Sequence, residues 1–383
     1  MTNELAPFLQ QVYDQVTQKH AAEHDEILDK NWRVFTESIQ KQHPEISYDE
    51  NTRLLTMGNI SPGCVLCRMG KWDCYFITPH CNLDCDFCYS QKRSSDHFTG
   101  SNLGEQLQEN FKQYQQLGIH GLSFSGGEAL LKKQAVYQWL EQASQITTLE
   151  HIWLYTNGLI LDEATIRDLS RLGLDEIRFN AAASGYQNQH VLEMIEKAAQ
   201  HLDWVTIEIP LIPEDEAILL SSIKLWFERG IRVLNIHELL YEPGSNAENL
   251  PGEKQPISLP DGHRTAISPF SAELAKKVFQ TVKNLNIPLG VNYCSTAGKW
   301  QQLTARRETL LPFTQEKNEY YLGNGMLESY YKSDGHGVRI LSLEELKTLN
   351  RENRAKKVYR LVRMAPLSTN ESRKNWLKFE VLL

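Results

Sequence analysis

Cys81, Cys85 and Cys88 stand at C-x3-C-x2-C spacing in the run CYFITPHCNLDCDFCYS, residues 74–90. Three thiolates this close in sequence form a single chelating loop, and their number is the informative part. A structural zinc ion takes four protein ligands, and so does a fully closed four-iron cube. Three leave one position to be filled from elsewhere. Either a distant His or Cys completes a zinc knuckle, or the loop holds a [4Fe–4S] cluster whose fourth iron stays open to an exogenous chelator.

The chain has seven cysteines, so four remain: Cys64, Cys67, Cys74 and Cys294. The first three form SPGCVLCRMGKWDC, a C-x2-C-x6-C run, and Cys294 lies far along the chain in VNYCS. Four is the count that closes a site, with the glycine-flanked C-x2-C pair giving the local bite. Zinc there would be structural, and a second [4Fe–4S] cluster would carry electrons to or from a substrate. Unrelated buried thiols are the plainer alternative. Cys74 precedes Cys81 by seven residues, and a five-residue strand between the two groups would span about 17 Å.

The elements that position these residues read clearly from about residue 74. Short β-branched or aromatic runs, CYFIT (74–78), GLSFS (121–125), IWLYT (152–156), EIRFN (176–180), WVTIEIP (204–210), RVLNIH (232–237) and PLGVNY (288–293), alternate with helical patterns near 103–117, 131–147, 162–172, 188–202, 215–229 and 270–285. That alternation predicts βαβ units around a parallel sheet, an α/β fold closing as a partial or full (β/α) barrel. Chemistry in such barrels gathers at the C-terminal strand ends. Residues 4–43 are expected to be helical, with Leu5, Phe8, Leu9, Val12, Tyr13 and Val16, then Ile27, Leu28, Trp32, Phe35 and Ile39, at helical spacing. The Gly-, Pro- and Ser-rich residues 243–269 are expected as a loop or lid. The domain expectation is a helical N-terminal extension (1–60), the barrel (61–300) and a small α+β C-terminal region (301–383).

The chain has 383 residues, 41% hydrophobic and 23% charged, ordinary for a globular protein. No apolar run of about 18 residues predicts a membrane span, and MTNELAPFLQQVYDQ lacks a secretory pattern. A reducing cytoplasmic location is therefore expected, with cysteines as metal ligands or catalysts. The net charge of −8 argues against wholesale nucleic-acid binding. Between Arg351 and Lys378, however, nine Lys or Arg face two Glu, either a solvated face or a docking surface for an acidic peptide or RNA.

The C-x3-C-x2-C loop after the first strand, with an aromatic Phe87 before the last cysteine, resembles the signature of the radical S-adenosylmethionine (SAM) superfamily. The resemblance implies a [4Fe–4S] cluster on Cys81, Cys85 and Cys88, with SAM chelating the open iron. It further implies reductive cleavage to a 5′-deoxyadenosyl radical that takes a hydrogen from a substrate. SFSGGEAL follows the second strand, and the resemblance assigns Gly126, Gly127 and Glu128 to the methionine amino group. Thr156 and Asn157, a turn by themselves, and Asn180, at the end of the fourth strand, join the expected cofactor site. Arg178 shares a face with Asn180 and is a candidate to neutralise the SAM carboxylate, and Ile209 is one to line the adenine. His237 and Glu238, after the sixth strand, are candidates for contact with the adenine or substrate, hence for catalysis.

SPGCVLC, NIHELL…NAENL and VNYCS…Q…R further resemble a branch related to pyruvate formate-lyase activating enzymes. A one-electron donor such as flavodoxin or ferredoxin is implied. A precursor peptide or protein side chain is the expected substrate, with a small metabolite as the alternative. No cysteine follows Cys294, unlike the cysteine-rich extensions of many peptide-modifying relatives. The rival from another class is a zinc-stabilised RNA- or peptide-binding module.

Overall fold

The computed structural model describes residues 44–49, 54–90, 103–259, 263–333, 338–349, 357–365, 367 and 376–381, with Leu9, Gln11, Val12, Glu37, Ile39 and Lys41. Most of the expected N-terminal helix, including Leu5, Phe8, Tyr13, Val16, Ile27, Leu28, Trp32 and Phe35, lies outside the described residues, as do Arg351, Arg354, Lys356, Arg373 and Lys374 of the basic stretch. Two compact units divide the chain, one of residues 27–257 and 265–302, the other of 1–26, 258–264 and 303–383.

In the first unit, parallel strands β3 (Trp72–Phe76), β4 (Gly121–Ser125), β5 (His151–Thr156), β6 (Glu176–Phe179), β7 (Trp204–Pro210) and β8 (Val233–His237) lie side by side in sequence order, followed by β11 (Gly290–Cys294). Helices Leu103–Leu117, Lys133–Ala143, Glu163–Arg171, Gln189–His201 and Glu216–Glu228 connect the first six, and Ser271–Leu285 leads into β11. Strands wound in one direction keep their crossover helices on one face, and the sheet forms a partial (β/α) barrel. The seven expected strands are all present, GLSFS and WVTIEIP at the expected residues.

Two parts of the expectation need correcting. Residues 1–60 are not wholly helical: β1 (Ser47–Asp49) and β2 (Leu54–Met57) pair antiparallel, and β2 extends the sheet beyond β11. Strands of three and four residues are too short to show a two-residue period, so pattern reading passes over them. Residues 243–269 are not one loop but hold a 3₁₀ turn, Asn246–Asn249, and the paired strands β9 (Gln255–Ser258) and β10 (Arg264–Ile267). Pro256 within β9 lacks the N–H that a strand ladder uses, so sequence pattern alone does not mark this strand.

Alternation along the strands sorts the side chains. Leu122, Phe124, Ile152, Leu154, Ile177, Phe179, Val205, Ile207, Leu234, Ile236 and Val291 are all buried on one face. Burial of each is worth about 1.5–3 kcal/mol, so this face carries the stability. The other face presents Ser123, Tyr155, Glu176, Arg178, Thr206, Glu208, Asn235, His237, Asn292 and Cys294. Barrel interiors are usually filled by Val, Ile and Leu; this one is polar.

The second unit carries β12 (Glu319–Gly323), β13 (Met326–Ser333), β14 (Val338–Leu341), β15 (Lys357–Met364) and β16 (Trp376–Val381) as a five-stranded sheet, with helix Leu343–Leu349. Leu9 and Val12 pack on Tyr359 and Leu361. Here the basic stretch is partly spent within the sheet. Arg363 is 1% exposed and grips Glu319 through two bonds of 2.6 Å, and Arg360 meets Glu328 at 2.7 Å. No helix among the described residues is long and apolar enough to cross a membrane.

Candidate functional site

The cysteine loop leaves β3 and is clamped at its root by the loop after β4. Ile77 N–H donates to Ser125 O, Gly127 N–H to Thr78 O and Glu128 N–H to His80 O, each at 2.8 Å. The two glycines permit this approach. Gly126 has φ +143°, and a Cβ there would lie 2.4 Å from Thr78 O. One on Gly127 would lie 2.2 Å from His80 O, one residue before Cys81. Gly127→Ala must therefore push the cysteine loop outward. We expect it to cost about 1–3 kcal/mol, as overpacking does, and to lower the iron retained after anaerobic reconstitution, checked by metal analysis and thermal melts.

Glu128 turns inward rather than offering its carboxylate to a ligand. It is 1% exposed and accepts from Leu130 N–H at 3.1 Å, Asn157 N–H at 2.8 Å and the Thr156 hydroxyl at 3.1 Å. Burial raises its pKa even against these donors. The Thr-Asn-Gly turn is thus more than a turn. Asn157 Nδ2 donates to Asn82 Oδ1 at 2.7 Å and reaches Cys81 Sγ at 3.9 Å, tying the β5 exit to the cysteine loop.

A third fastening comes from the segment expected to be a lid. Asn246 Nδ2 donates to Asp84 Oδ1 at 2.6 Å and Cys85 O at 3.0 Å, and Ala247 N–H donates to Cys88 O at 3.1 Å. Phe87 anchors the loop's end against Ile212, Leu239 and Tyr241. Asn82, Asp84 and Asn246 were not among the expected site residues; single polar residues in turns carry no distinctive signal. Asn246→Ala is expected to weaken cluster retention by about 10-fold, the lower end for outer-shell partners of a metal site, with little change in melting temperature; iron loss against a chelator would measure it.

Cys81 is exposed, and Cys85 and Cys88 are partly so. Burial, then the neighbouring Cys81 and Cys88, push the Cys85 thiol up to about 11. Thiols that oppose one another's ionisation are what a bound cationic cluster relieves. Among the described residues no three His, Cys, Asp or Glu converge to hold a single metal ion. A lone zinc would draw each thiolate to about 2.3 Å from one centre, whereas a four-iron cube gives each thiolate its own iron. Three soft donors on an open, clamped loop fit that cluster.

Below the loop, the barrel interior is knitted by Arg178. Its guanidinium donates to Glu176 Oε1 at 2.9 Å and Oε2 at 3.1 Å, to Glu208 Oε2 at 2.8 Å and to Ser61 Oγ at 3.1 Å, and lies 4.9 Å over the Trp153 ring. Expected to meet the SAM carboxylate, it is committed to protein carboxylates instead. It shares a face with Asn180 but sits one pleat, about 7 Å, deeper. Asn180 remains at the strand end, partly exposed, capping Ala183 N–H at 3.2 Å. Ile209 is 1% exposed and lies on the opposite face of β7 from Glu208, away from the interior. His237 Nε2 stands 3.0 Å from Glu208 Oε1, and burial followed by the Lys299 charge lowers its pKa. Glu238 is raised by burial and accepts Thr296 N–H at 2.8 Å, capping the next helix.

The remaining cysteines face this interior. Cys64 and Cys67 ride the helix Pro62–Arg68, whose N-cap Ser61 accepts from Gly63 N–H at 3.0 Å and donates to Glu176 at 2.5 Å. Both lie within electrostatic range of Arg178 and Cys294, and Cys74 within range of Arg178 and Glu208. Burial pushes Cys64 and Cys74 up to about 12, with Arg178 pulling each back. Gln302 Nε2 reaches Cys294 Sγ at 3.3 Å, a contact not foreseen.

Residues 75–250 match the family model described as Radical SAM superfamily, a match that supports a radical SAM domain here and, with it, a [4Fe–4S] cluster and SAM. The chain is 27% identical over 246 residues to a Methanocaldococcus jannaschii protein described as a candidate glycyl-radical enzyme activating enzyme, covering 62% of this chain and 64% of that protein. It is 33% identical over 112 residues to the GTP 3′,8-cyclase of Staphylococcus epidermidis, covering 28% of this chain and 32% of the cyclase. The chain thus spans less than two thirds of either relative. Streptococcus suis SuiB, in its crystal structure bound to SAM, superposes with a TM-score of 0.43 at 12% identity, over 59% of this chain and 50% of SuiB.

Proposed function

We propose that the protein is a radical SAM enzyme that abstracts a hydrogen atom from a peptide or protein side chain. The carrying observation is a three-cysteine loop held at the barrel mouth by the Gly126–Gly127 clamp and by Asn157 and Asn246. Cys81, Cys85 and Cys88 would ligate three irons of a [4Fe–4S] cluster. A cluster held there would supply the one-electron reduction that cleaves SAM. Gly126 and Gly127 hold the loop root and leave backbone accessible beside the ligand. Asn180 and Asn157 contribute polar groups at adjacent strand ends. Glu128 braces this rim through Thr156 and Asn157 rather than meeting the ligand.

Cys64, Cys67, Cys74 and Cys294 are proposed to hold a second iron–sulfur cluster, with Arg178 as its counter-charge. A cytoplasmic flavodoxin or ferredoxin would supply electrons. Two open hollows lie among the described residues. One, of about 430 Å³, lies along Leu130–Ala135, and another, of about 310 Å³, is lined by Met57, Val282 and Leu289; neither is a sealed chamber at the mouth. The activating-enzyme relative supports a protein substrate of glycyl-radical type as one form of this reading.

Anaerobic purification tests it. The protein should be brown, hold about seven to eight irons if both sites are filled, and release 5′-deoxyadenosine from SAM with a reductant. Colourless protein with stoichiometric zinc and no release would establish the zinc-binding rival.

A further inference from the structure

One cation at the barrel mouth pairs with no carboxylate among the described residues. Lys299 lies in the first turn of the helix Thr296–Thr314, and its N–H donates to Ser295 O at 2.9 Å. That helix begins directly after β11, whose last residue, Cys294, pairs with His237 across the sheet. The Lys299 ammonium lies 5.8 Å from the ring centroid of Tyr89, the residue that follows Cys88 of the cysteine loop. The side chain is half-buried, and its charge is felt by His237, Glu238 and Cys294. Lys299 is therefore suspended between the cysteine loop and the ends of β8 and β11.

Among the described residues no carboxylate lies within ion-pair distance of this ammonium, which sits over the Tyr89 ring. The two nearby carboxylates are already engaged. Glu238 accepts the Thr296 N–H at 2.8 Å, and Glu208 accepts from Arg178 at 2.8 Å and Asn235 at 2.9 Å while facing His237. An ammonium with no carboxylate on it keeps hydrogen-bond donors free for an anion. An arriving anion gains charge-assisted hydrogen bonds from them.

We propose that Lys299, backed by His237, is an oxyanion-binding site that seats a carboxylate or phosphate group of the substrate at the barrel mouth. This rests on the radical SAM reading for what the anion belongs to, but not for the existence of the site. The substrate is accordingly acidic near its reacting carbon, for example an Asp, Glu or C-terminal carboxylate of a peptide. The Tyr89 ring forms one wall, which orders the lysine and places the anion beside the cysteine loop.

The test uses anaerobic full-length protein without SAM or turnover, so its outcome is independent of whether 5′-deoxyadenosine is released. Lysines are acetylated under limiting reagent and quantified individually by mass spectrometry in acetate, inorganic phosphate, acetamide or sodium chloride. At a concentration of about four times Kd, an anion should slow Lys299 labelling about fivefold while leaving the exposed Lys132 unchanged. Protection by acetate alone assigns a carboxylate, and by phosphate alone a phosphoryl group. Equal labelling in all four solutions, or protection by chloride to the same extent, overturns the site. Calorimetric titration of the protecting anion supplies a second measure. Lys299→Gln should lose affinity at least about 10-fold, roughly 1.4 kcal/mol, and Lys299→Arg should retain it. Wild-type affinity in Lys299→Gln refutes the proposal.

Discussion

Cys85→Ala is expected to abolish 5′-deoxyadenosine release, while Cys67→Ala retains a measurable fraction. Cys85 stands in the middle of the clamped loop, and its thiol is pressed by Cys81 and Cys88 on either side. Removing it leaves two thiolates for a cluster that already lacks a fourth protein ligand. Loss of an outer-shell partner alone costs about 10–100-fold, so loss of a direct thiolate should exceed about 100-fold. Cys67 belongs to the helix Pro62–Arg68 and shares its surroundings with Cys64, Cys294 and Arg178 rather than with the loop. Its loss should empty the second site, roughly halving total iron, and leave SAM cleavage partly intact. Iron content and product release, measured on the same reconstituted samples, decide the matter. Equal loss of release in both variants would show that the seven cysteines do not divide into two sites.

Much of this arrangement is legible in the chain itself, because short strands and their helices carry opposite periodicities. GLSFS and WVTIEIP appear as β4 and β7 without adjustment, and the helix 103–117 does too. The functional loops then fall at strand ends, as barrel geometry requires. Side-chain roles were harder to read, for a reason that Glu128 and Arg178 make plain. A carboxylate beside a glycine pair and an arginine two residues before a strand end both read as ligand contacts. Whether such groups face a ligand or each other depends on depth in the pleat and on partners that mostly lie far away in sequence. Glu128 is consumed by Thr156 and Asn157, and Arg178 by Glu176, Glu208 and Ser61. The polar interior was, by contrast, available in the alternation of Thr206 with Glu208, Asn235 with His237, and Asn292 with Cys294. Three strands carrying the same polar face cannot all be turned to bulk water in a barrel.

Arg178→Met is expected to destabilise the protein by about 3–5 kcal/mol at neutral pH, the range for breaking a buried ion pair by removing one partner. The guanidinium is 2% exposed, and Glu176 and Glu208 lose their shared cation at once. In the native protein, burial alone would raise both carboxyl pKa values, but Arg178 outweighs it, aided by His151 at Glu176 and His237 at Glu208, and holds both below the usual value. Carboxylates depressed on folding stabilise the native state above their unfolded pKa, about 4.3, and that contribution is lost as pH falls through the folded values. In the variant the dominant remaining influence is burial, which raises both groups. Their stability contribution is then largest at low pH and is lost as pH rises through the raised values. The variant should therefore recover as pH falls from about 7 toward 4, whereas the native protein loses the contribution of these two carboxylates only as pH falls below about 4.3. Denaturant unfolding across that range measures the difference. Arg178→Lys should recover only part of the loss, since a single ammonium cannot bridge both carboxylates in the forked geometry of Arg178. A deficit that stays constant with pH would place the contribution of Arg178 in its packing over Trp153 and Tyr155 instead of its charge.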